Sequence, residues 1–216
     1  MPQKSPFTLD IPQTDILSYV FPKGKQLSDK PIWIDADDTS NSLSPKQLLY
    51  WVKRLGVGLD KLGVQQNEAV MMYSSNHIFV PVLYLGVVGS GRIFTGCNPA
   101  YGVGETSFQL DNTGAKIALV EPKFLDVVLK AAEKNKFPKE RIYLFSDKPC
   151  GTQQGVKDWR TLLGSEQEAQ SWEWHRMTSQ ESKTRTAALN YSSGTTGLPK
   201  GVMISHENVI GWWHAS

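Results

Sequence analysis

Residues 191–202 carry the clearest chemistry in this chain. They read YSSGTTGLPKGV and follow a predicted strand over residues 186–191. Closely spaced glycines let successive backbone N–H groups point into one concavity, which attracts anions. Hydroxyl groups add hydrogen-bond donors, and the Lys200 ammonium adds a positive charge suited to phosphate. These residue types in this order therefore predict a polyphosphate-binding loop.

The loop differs from the P-loop of ATPases. That motif needs a glycine, four further residues and then Gly-Lys-Ser/Thr. Here Gly194 and Gly197 are three positions apart, and Gly201 follows Lys200 where the magnesium-binding hydroxyl would stand. The residues themselves thus disfavour a P-loop ATPase, which would release phosphate from ATP rather than pyrophosphate.

Histidine and cysteine spacing predicts no metal centre. The four histidines, none with metal-ligand spacing, are His77, His175, His206 and His214. We expect His206 to be structural, because Ser205 before it is a candidate helix cap. Cys97 and Cys150 are too few for a disulfide scaffold. We expect Cys97 to be a packed thiol, and the sequence leaves a bridge between the two cysteines open.

Short apolar strands alternate with helices along the chain and must position the loop. Strands are predicted over residues 31–38, 69–73, 92–96, 116–120, 141–145 and 186–191. Helices are predicted after the Ser44–Gln47 capping pattern and over residues 78–88, 105–110 and 123–136, with one helical turn over 159–163. This alternation predicts an α/β fold in which parallel strands are sandwiched by helices.

Length and charge limit the classes of function. The chain has 216 residues and a net charge of +2, which gives no basic stripe for nucleic acid. The longest apolar run, residues 78–88, is too short to span a membrane. We expect an extended lead-in over residues 1–30 and one domain portion over 31–216. We interpret the polar stretch 164–183 as a surface loop or a partly ordered excursion, in which Trp172 and Trp174 are candidates for holding it to the body.

The loop sequence resembles the phosphate-binding signature of adenylate-forming (AMP-binding) enzymes. The continuation GVMISHENVI and the upstream stretch FVPVLYLGVVGSGRIFTGCNPAYGVGETSFQLDNTGAKI are similar to that family as well. The resemblance covers most of the chain from about residue 30 and is nearest to 4-coumarate–CoA ligases and fungal acyl-CoA ligases. It implies that the chain is the first part of the large N-terminal domain of an acid–CoA ligase.

The resemblance implies a two-step reaction with ATP, Mg²⁺ and coenzyme A. A carboxylic acid, aromatic or medium-chain, is first converted to an acyl-adenylate with release of pyrophosphate, and the acyl group then passes to the thiol. Lys200 would neutralise charge on the departing pyrophosphate. Carried over from the family signature, the residues that hold the β- and γ-phosphates are Ser192, Ser193, Gly194, Thr195, Thr196, Gly197 and Lys200.

The sequence departs from the family pattern after the loop. The later adenine, ribose and hinge motifs and the small C-terminal domain with its catalytic lysine are absent. We therefore expect the 216 residues alone not to complete adenylation, and the missing C-terminal part to be the main partner. No helix stop follows Trp212 and Trp213, so we expect the chain to continue.

The alternative is a truncated, non-catalytic member that binds nucleotide or a partner chain. Cytosol and peroxisome both remain open.

Overall fold

A seven-stranded β-sheet with helices on both faces forms the body of the protein. The computed structural model describes residues 9–192 and 199–215. In chain order the strands are β1 (Trp33–Ile34), β2 (Ser42–Leu43), β3 (Ala69–Tyr73), β4 (Ile93–Gly96), β5 (Ile117–Val120), β6 (Ile142–Leu144), β7 (Lys157–Asp158), β8 (Thr186–Ser192) and β9 (Lys200–Ser205). β1 and β2 form a separate antiparallel pair. The large sheet has the order β7-β6-β5-β3-β4-β8-β9, and its described pairs are parallel except β8 with β9.

Helices connect the parallel strands, as the alternating pattern predicts. They are α1 (Ile16–Val20), α2 (Pro45–Lys61), α3 (Val80–Gly89), α4 (Val103–Asn112), α5 (Leu125–Lys134), α6 (Glu166–Ser171), α7 (Ser179–Thr184) and α8 (His206–Ala215). Short 3₁₀ turns occupy Pro122–Phe124, Lys139–Arg141 and Trp159–Leu162. The α/β class is confirmed. No helix in the described ranges is long and apolar enough to cross a bilayer.

The central strand β3 is buried on both faces and divides the core in two. Val70 and Met72 pack into one apolar cluster, with α2 and α3, whereas Met71 and Tyr73 pack into the other, with α4 and α5. Successive side chains of a strand point to opposite faces. A parallel strand covered by helices on both sides therefore reads as a continuous apolar run, which is what residues 69–73 show.

Helix α2 begins at the predicted cap. The Ser44 hydroxyl accepts a hydrogen bond from the Gln47 backbone N–H, and the Gln47 side chain accepts one from the Ser44 N–H. Further along, Gly58 allows the 3₁₀ turn after β7 to approach: a Cβ at this position would lie 1.9 Å from the Leu162 carbonyl oxygen. The cap thus sets the first residue of α2, and Gly58 sets how closely the 3₁₀ turn packs against the helix.

The segment expected to be an extended lead-in contains helix α1. Asp15 caps this helix by accepting a hydrogen bond from the Ser18 N–H at 2.7 Å. Ile16 and Leu17 are fully buried, and Leu17 packs against α3 at Gly89. A cap followed by two apolar residues that reach the core explains why this short helix forms where a proline-rich composition favours extended chain. The strand expected over residues 31–38 is likewise shorter, since β1 spans only Trp33–Ile34.

The polar stretch 164–183 also contains helices rather than a plain loop. Ser165 and Thr178 each form a capping box with the glutamate three residues later, which starts α6 and α7. Trp174 is 9% exposed, and the Trp172 ring lies against Gly56 of α2. Trp172 and Trp174 thus both contact the body of the protein, and two short helices lie within the stretch that the sequence presented as a loop or a partly ordered excursion.

β9 forms the edge of the sheet beyond β8, and helix α8 follows it. β9 includes Lys200, Gly201 and Val202, which the sequence placed in the phosphate loop, so the strand was not predicted. Ser205 caps α8 as expected, accepting from the Asn208 N–H at 3.2 Å. In α8, Trp213 stacks on Tyr19 with ring centroids 6.4 Å apart, while Trp212 is 69% exposed.

Candidate phosphate-binding site

A β-hairpin brings together the two ends of the predicted phosphate loop. In the antiparallel pairing of β8 with β9, Ser192 stands opposite Lys200 and Tyr191 opposite Gly201. Both Ser192 and Lys200 are exposed. Within the described residues, Lys200 takes part in no ion pair. A hydroxyl group and an ammonium group with no carboxylate partner in those ranges thus flank the mouth of the loop.

The rest of the predicted loop lies outside the residues that the structure describes. This applies to Ser193, Gly194, Thr195, Thr196 and Gly197. Of the predicted phosphate contacts, the structure therefore places Ser192 and Lys200.

The hairpin projects from the edge where the parallel strands end. Thr95, next to last in β4, pairs with Leu189, so β8 extends beyond β4 through Tyr191 and Ser192. Ligands of open α/β sheets bind outside the carboxyl ends of the strands. Ser192 and Lys200, at the two ends of the predicted loop, therefore lie at the edge where this architecture places binding sites.

Helix α4 holds the base of the hairpin in place. The Tyr191 hydroxyl donates a hydrogen bond to Asn112 Oδ1 at 2.6 Å, and the Tyr191 ring meets Phe108 edge-on at 6.3 Å. Burial raises the pKa of the Tyr191 phenol above its ordinary value, so this hydroxyl stays protonated and acts as a donor at neutral pH. Two contacts thus fix the direction of the strand directly before the loop.

Gln109 links α4 to β4 and was missed by the sequence reasoning. Its Nε2 donates to Thr95 Oγ1 at 2.9 Å and to the Gly96 carbonyl at 3.0 Å. Thr95 Oγ1 in turn donates to the Leu189 carbonyl of β8 at 3.0 Å. Because a carbonyl oxygen only accepts, the amide must present Nε2 to Gly96. The only sequence signal for this link is a polar residue on the inward face of α4.

A cavity of about 410 Å³ lies beside these residues. It opens at the carboxyl ends of β3 and β4, next to Tyr191, and its polar lining includes Ser74, Ser75, Asn98 and Gln109. Gln109 is 1% exposed, and its Oε1 is buried without a hydrogen-bond partner among the described residues. A buried acceptor without a partner costs free energy, so the cavity favours an occupant that carries an N–H or O–H donor.

Cys97 and His206 lie near these elements and have structural roles. Burial raises the pKa of the Cys97 thiol to about 12, so no thiolate forms at neutral pH, and the expectation of a packed thiol is confirmed. Both cysteines are free, which settles the question of a bridge. His206 is 1% exposed, and its Nδ1 accepts a hydrogen bond from the Ile16 N–H at 3.2 Å. His206 therefore ties α8 to α1, as expected.

Comparison with known proteins identifies the family. The sequence model described as AMP-binding enzyme matches residues 22–214. The chain belongs to this AMP-binding enzyme family. The sheet, the hairpin and all of α8 except Ala215 fall within the matched residues.

Curated relatives of this AMP-binding chain include fungal and plant ligases. It is 37% identical over 206 residues to the acyl-CoA ligase azaF of Aspergillus niger and 35% identical over 206 residues to the phenylacetyl-CoA ligase epaB of the same species. In both cases the match covers 94% of this chain and 38% of the relative. The chain thus spans little more than a third of the length of these relatives. It is 28% identical to 4-coumarate–CoA ligase 3 of Arabidopsis thaliana, over 94% of this chain and 34% of that protein.

Solved structures share the fold of this AMP-binding chain. The anthranilate CoA ligase AuaEII in complex with anthranoyl-AMP matches with a TM-score of 0.74 and 22% identity, over 92% of this chain and 36% of that chain. A long-chain-fatty-acid–CoA ligase, FadD1, from Archaeoglobus fulgidus matches with a TM-score of 0.77 and 21% identity, over 94% and 39% of the two chains. The fold is therefore the N-terminal part of the ligase fold.

Proposed function

We propose that the whole protein is an acid–CoA ligase and that this chain supplies its phosphate loop. In the first step, a carboxylate oxygen attacks the α-phosphorus of ATP, the bond to the β-phosphate bridging oxygen breaks, and pyrophosphate leaves. In the second step, the thiol sulfur of coenzyme A attacks the acyl carbon, AMP leaves, and the thiol proton passes to solvent. The placement of Ser192 opposite Lys200 at the mouth of a family-typical loop is the observation that carries this proposal.

Lys200 and the loop act on the leaving group. Negative charge grows on pyrophosphate as the α–β bond breaks, and a fixed ammonium group near that charge stabilises the transition state more than the ground state. The Ser192 hydroxyl donates a hydrogen bond to a phosphate oxygen. We assign the same task to the hydroxyl groups and backbone N–H groups of the loop residues Ser193, Gly194, Thr195, Thr196 and Gly197.

We place one of the nucleotide-bearing co-substrates, ATP or coenzyme A, in the cavity beside Tyr191. Its lining offers hydroxyl and amide groups, and Gln109 Oε1 accepts a donor. Within the described ranges, no group of three or more His, Cys, Asp or Glu side chains could hold a metal ion. We assign Mg²⁺ to the ATP phosphates that it accompanies.

The acid is proposed to be aromatic or medium-chain, and the names of two relatives support an aromatic acid. Phenylacetyl-CoA ligase epaB and 4-coumarate–CoA ligase 3 are named for aromatic acids. The experiment is acid-dependent pyrophosphate release by the whole protein, with phenylacetate, 4-coumarate and octanoate compared at equal concentration. Release that depends on one of these acids and on coenzyme A for turnover supports the proposal. Phosphate release from ATP without any acid contradicts it.

A second candidate function is nucleotide binding without catalysis. It is favoured by the position of Ser192 opposite Lys200 at the two ends of the predicted loop, since both groups belong to this chain. Calorimetric titration of the 216-residue chain with ATP tests this alternative. Saturable ATP binding without pyrophosphate release on adding acid supports it, whereas pyrophosphate release by the chain alone contradicts it.

A further inference from the structure

A second cleft, of about 290 Å³, lies where three distant segments meet. The turn after α1 contributes residues 21–27, α2 contributes Leu49 and Lys53, and the stretch between α6 and α7 contributes residues 173–176. Leu49 and Lys53 are four positions apart, so they lie on one face of α2. All described residues that line this cleft lie outside β8 and β9. The cleft is therefore built separately from the phosphate loop.

The floor of the cleft is apolar and held in place. Phe21 and Trp174 are 5% and 9% exposed. The Trp174 indole N–H donates a hydrogen bond to Ser18 Oγ at 2.9 Å, which fixes the orientation of its ring. Leu27 and Leu49 pack against the same core at the side of the cleft. An aromatic floor in a fixed position can receive an apolar group without reorganisation.

Four cations line this cleft, and Glu173 is the one carboxylate among its described lining residues. Lys53 Nζ lies 3.4 Å from Glu173 Oε1 and 6.0 Å from the centroid of the Trp174 ring. The Arg176 guanidinium lies 4.9 Å from the same ring. In the described part of the chain, the ion pairs include neither Arg176 nor the two other cations of the cleft, Lys23 and Lys25. Among the described residues, three positive charges at the rim therefore have no carboxylate within ion-pair distance.

We propose that this cationic cleft, formed by Lys23, Lys25, Lys53 and Arg176 around Phe21 and Trp174, binds a small amphipathic organic anion. The aromatic or alkyl body of the ligand packs on Phe21 and Trp174. Its anionic head group lies at the rim and forms charge-assisted hydrogen bonds with Lys23, Lys25 and Arg176. The volume is at the small end of known ligand sites, which suits a body of one or two rings.

The charge of the whole chain favours a small ligand over a polyanion. Proteins that bind nucleic acid present a basic stripe or patch, whereas this chain has a net charge of only +2. The uncompensated cations here surround a single apolar floor. A ligand with one head group and one apolar body fits this arrangement, and an extended acidic polypeptide would leave the floor unused.

The test uses 2-naphthalenesulfonate, titrated calorimetrically into the 216-residue chain. A sulfonate is chosen because the proposed ligase reaction needs a carboxylate, so the outcome does not depend on that proposal. We expect saturable binding with a Kd of about 1 mM or tighter. The neutral analogue 2-naphthalenemethanol is expected to bind at least about tenfold more weakly, because the rim charges contribute only to an anion. Absence of saturable sulfonate binding overturns the proposal.

Charge-reversal variants assign the binding to the cleft. Lys23→Glu/Lys25→Glu is expected to raise the Kd for the sulfonate at least about tenfold. Arg176→Gln is expected to raise the Kd as well. The matched control, Lys130→Glu/Lys134→Glu, changes the net charge equally on the exposed side of α5 and should leave the affinity unchanged. Thermal unfolding followed by circular dichroism checks that each variant is folded. Equal affinity in all variants overturns the proposal, as does tighter binding of polyglutamate than of the sulfonate.

Discussion

Lys200 stands directly opposite Ser192 in the antiparallel ladder between β8 and β9. Only residues 193–199 lie between these two positions, so the hairpin closes the loop and keeps both ends at the same edge of the sheet. The pairing reduces the conformational freedom that a phosphate would otherwise have to restrict on binding. Lys200 is thus positioned by backbone hydrogen bonds of the strand rather than by an ion pair among the described residues.

Replacing Lys200 with alanine tests its role toward pyrophosphate. We expect Lys200→Ala in the whole protein to lower the rate of pyrophosphate release roughly 100-fold, which is typical for loss of one group that stabilises developing charge. Lys200→Arg keeps the charge and should retain more activity than alanine. The measurement is coupled pyrophosphate release at saturating acid and ATP.

Lys130→Ala serves as the control for this prediction, because Lys130 is an exposed lysine on α5 away from the loop. It should leave the rate unchanged. Equal rates for the wild type and Lys200→Ala would show that Lys200 does not act on the leaving group.

Replacing Gln109 tests the link between α4 and the strands. Gln109→Ala removes two hydrogen bonds, to the buried Thr95 Oγ1 and the partly buried Gly96 carbonyl, and leaves both groups without this donor. We expect the free energy of unfolding to fall by about 1–3 kcal/mol. Urea unfolding followed by circular dichroism measures the change. Gln170→Ala, at an exposed position of α6, is the control and should change stability by less than about 0.5 kcal/mol.

The elements with strong local signals were predictable from the sequence. The types and spacing of Ser44 and Gln47 predict the start of α2. The continuous apolar run over residues 69–73 predicts a strand, which the structure buries on both faces. The order of strands across the sheet was not predictable, because each strand pairs with residues far away in sequence. The β8–β9 hairpin was missed because residues 200–202 belong both to a recognisable motif and to a strand.

The candidate site was predictable as a motif, but the contacts around it were not. The residue types of the loop indicate phosphate, whereas Gln109 shows only as a polar residue on the inward face of α4, and its partners Thr95 and Gly96 lie on another element. Helix α1 was missed because its stability comes from Ile16 and Leu17 packing against distant helices rather than from local propensity. Local sequence patterns do not report such long-range packing, so they could not predict either feature.

Replacing two helical glycines with alanine should change the free energy of unfolding in opposite directions. A Cβ at Gly58 would lie 1.9 Å from the Leu162 carbonyl oxygen, so Gly58→Ala forces the packed turn away from α2. We expect a loss of about 2 kcal/mol or more in the free energy of unfolding. Gly104, in α4, has open space around the corresponding position. Gly104→Ala should therefore stabilise by up to about 1 kcal/mol through helix propensity. Urea unfolding of both variants measures the difference, and stabilisation by Gly58→Ala would show that the contact is not tight.

The exposed edge strand should promote self-association of the chain. Met203 is 70% exposed and Val202 47% exposed on β9, which pairs with β8 on one side. An exposed apolar edge strand is a template for pairing with another chain. We expect Met203→Lys to reduce association measured by light scattering across a concentration series. Ile32→Lys, at a residue 58% exposed outside the large sheet, is the control. Equal scattering of Met203→Lys and the wild type would exclude β9 as the associating edge.

His206 should make stability depend on pH. Burial lowers the pKa of its imidazole from 6.5 to about 4, against an opposing effect of the Asp15 carboxylate and with a smaller contribution from Arg185. The folded state therefore holds His206 neutral where the unfolded state is protonated. The resulting stability is fully present above pH 6.5 and is lost as pH falls from 6.5 to about 4. The shift corresponds to about 3 kcal/mol.

His206→Asn separates this effect from the titration of carboxylates. The asparagine Oδ1 can still accept the hydrogen bond from the Ile16 N–H, but it does not titrate. Glu168 and Glu181, whose pKa values are lowered to about 2 by hydrogen bonds, titrate in both proteins alike. Between pH 6.5 and 4, the wild type should therefore lose about 3 kcal/mol more unfolding free energy than the variant, measured by urea unfolding at each pH. Parallel pH profiles would mean that His206 is protonated in the folded protein.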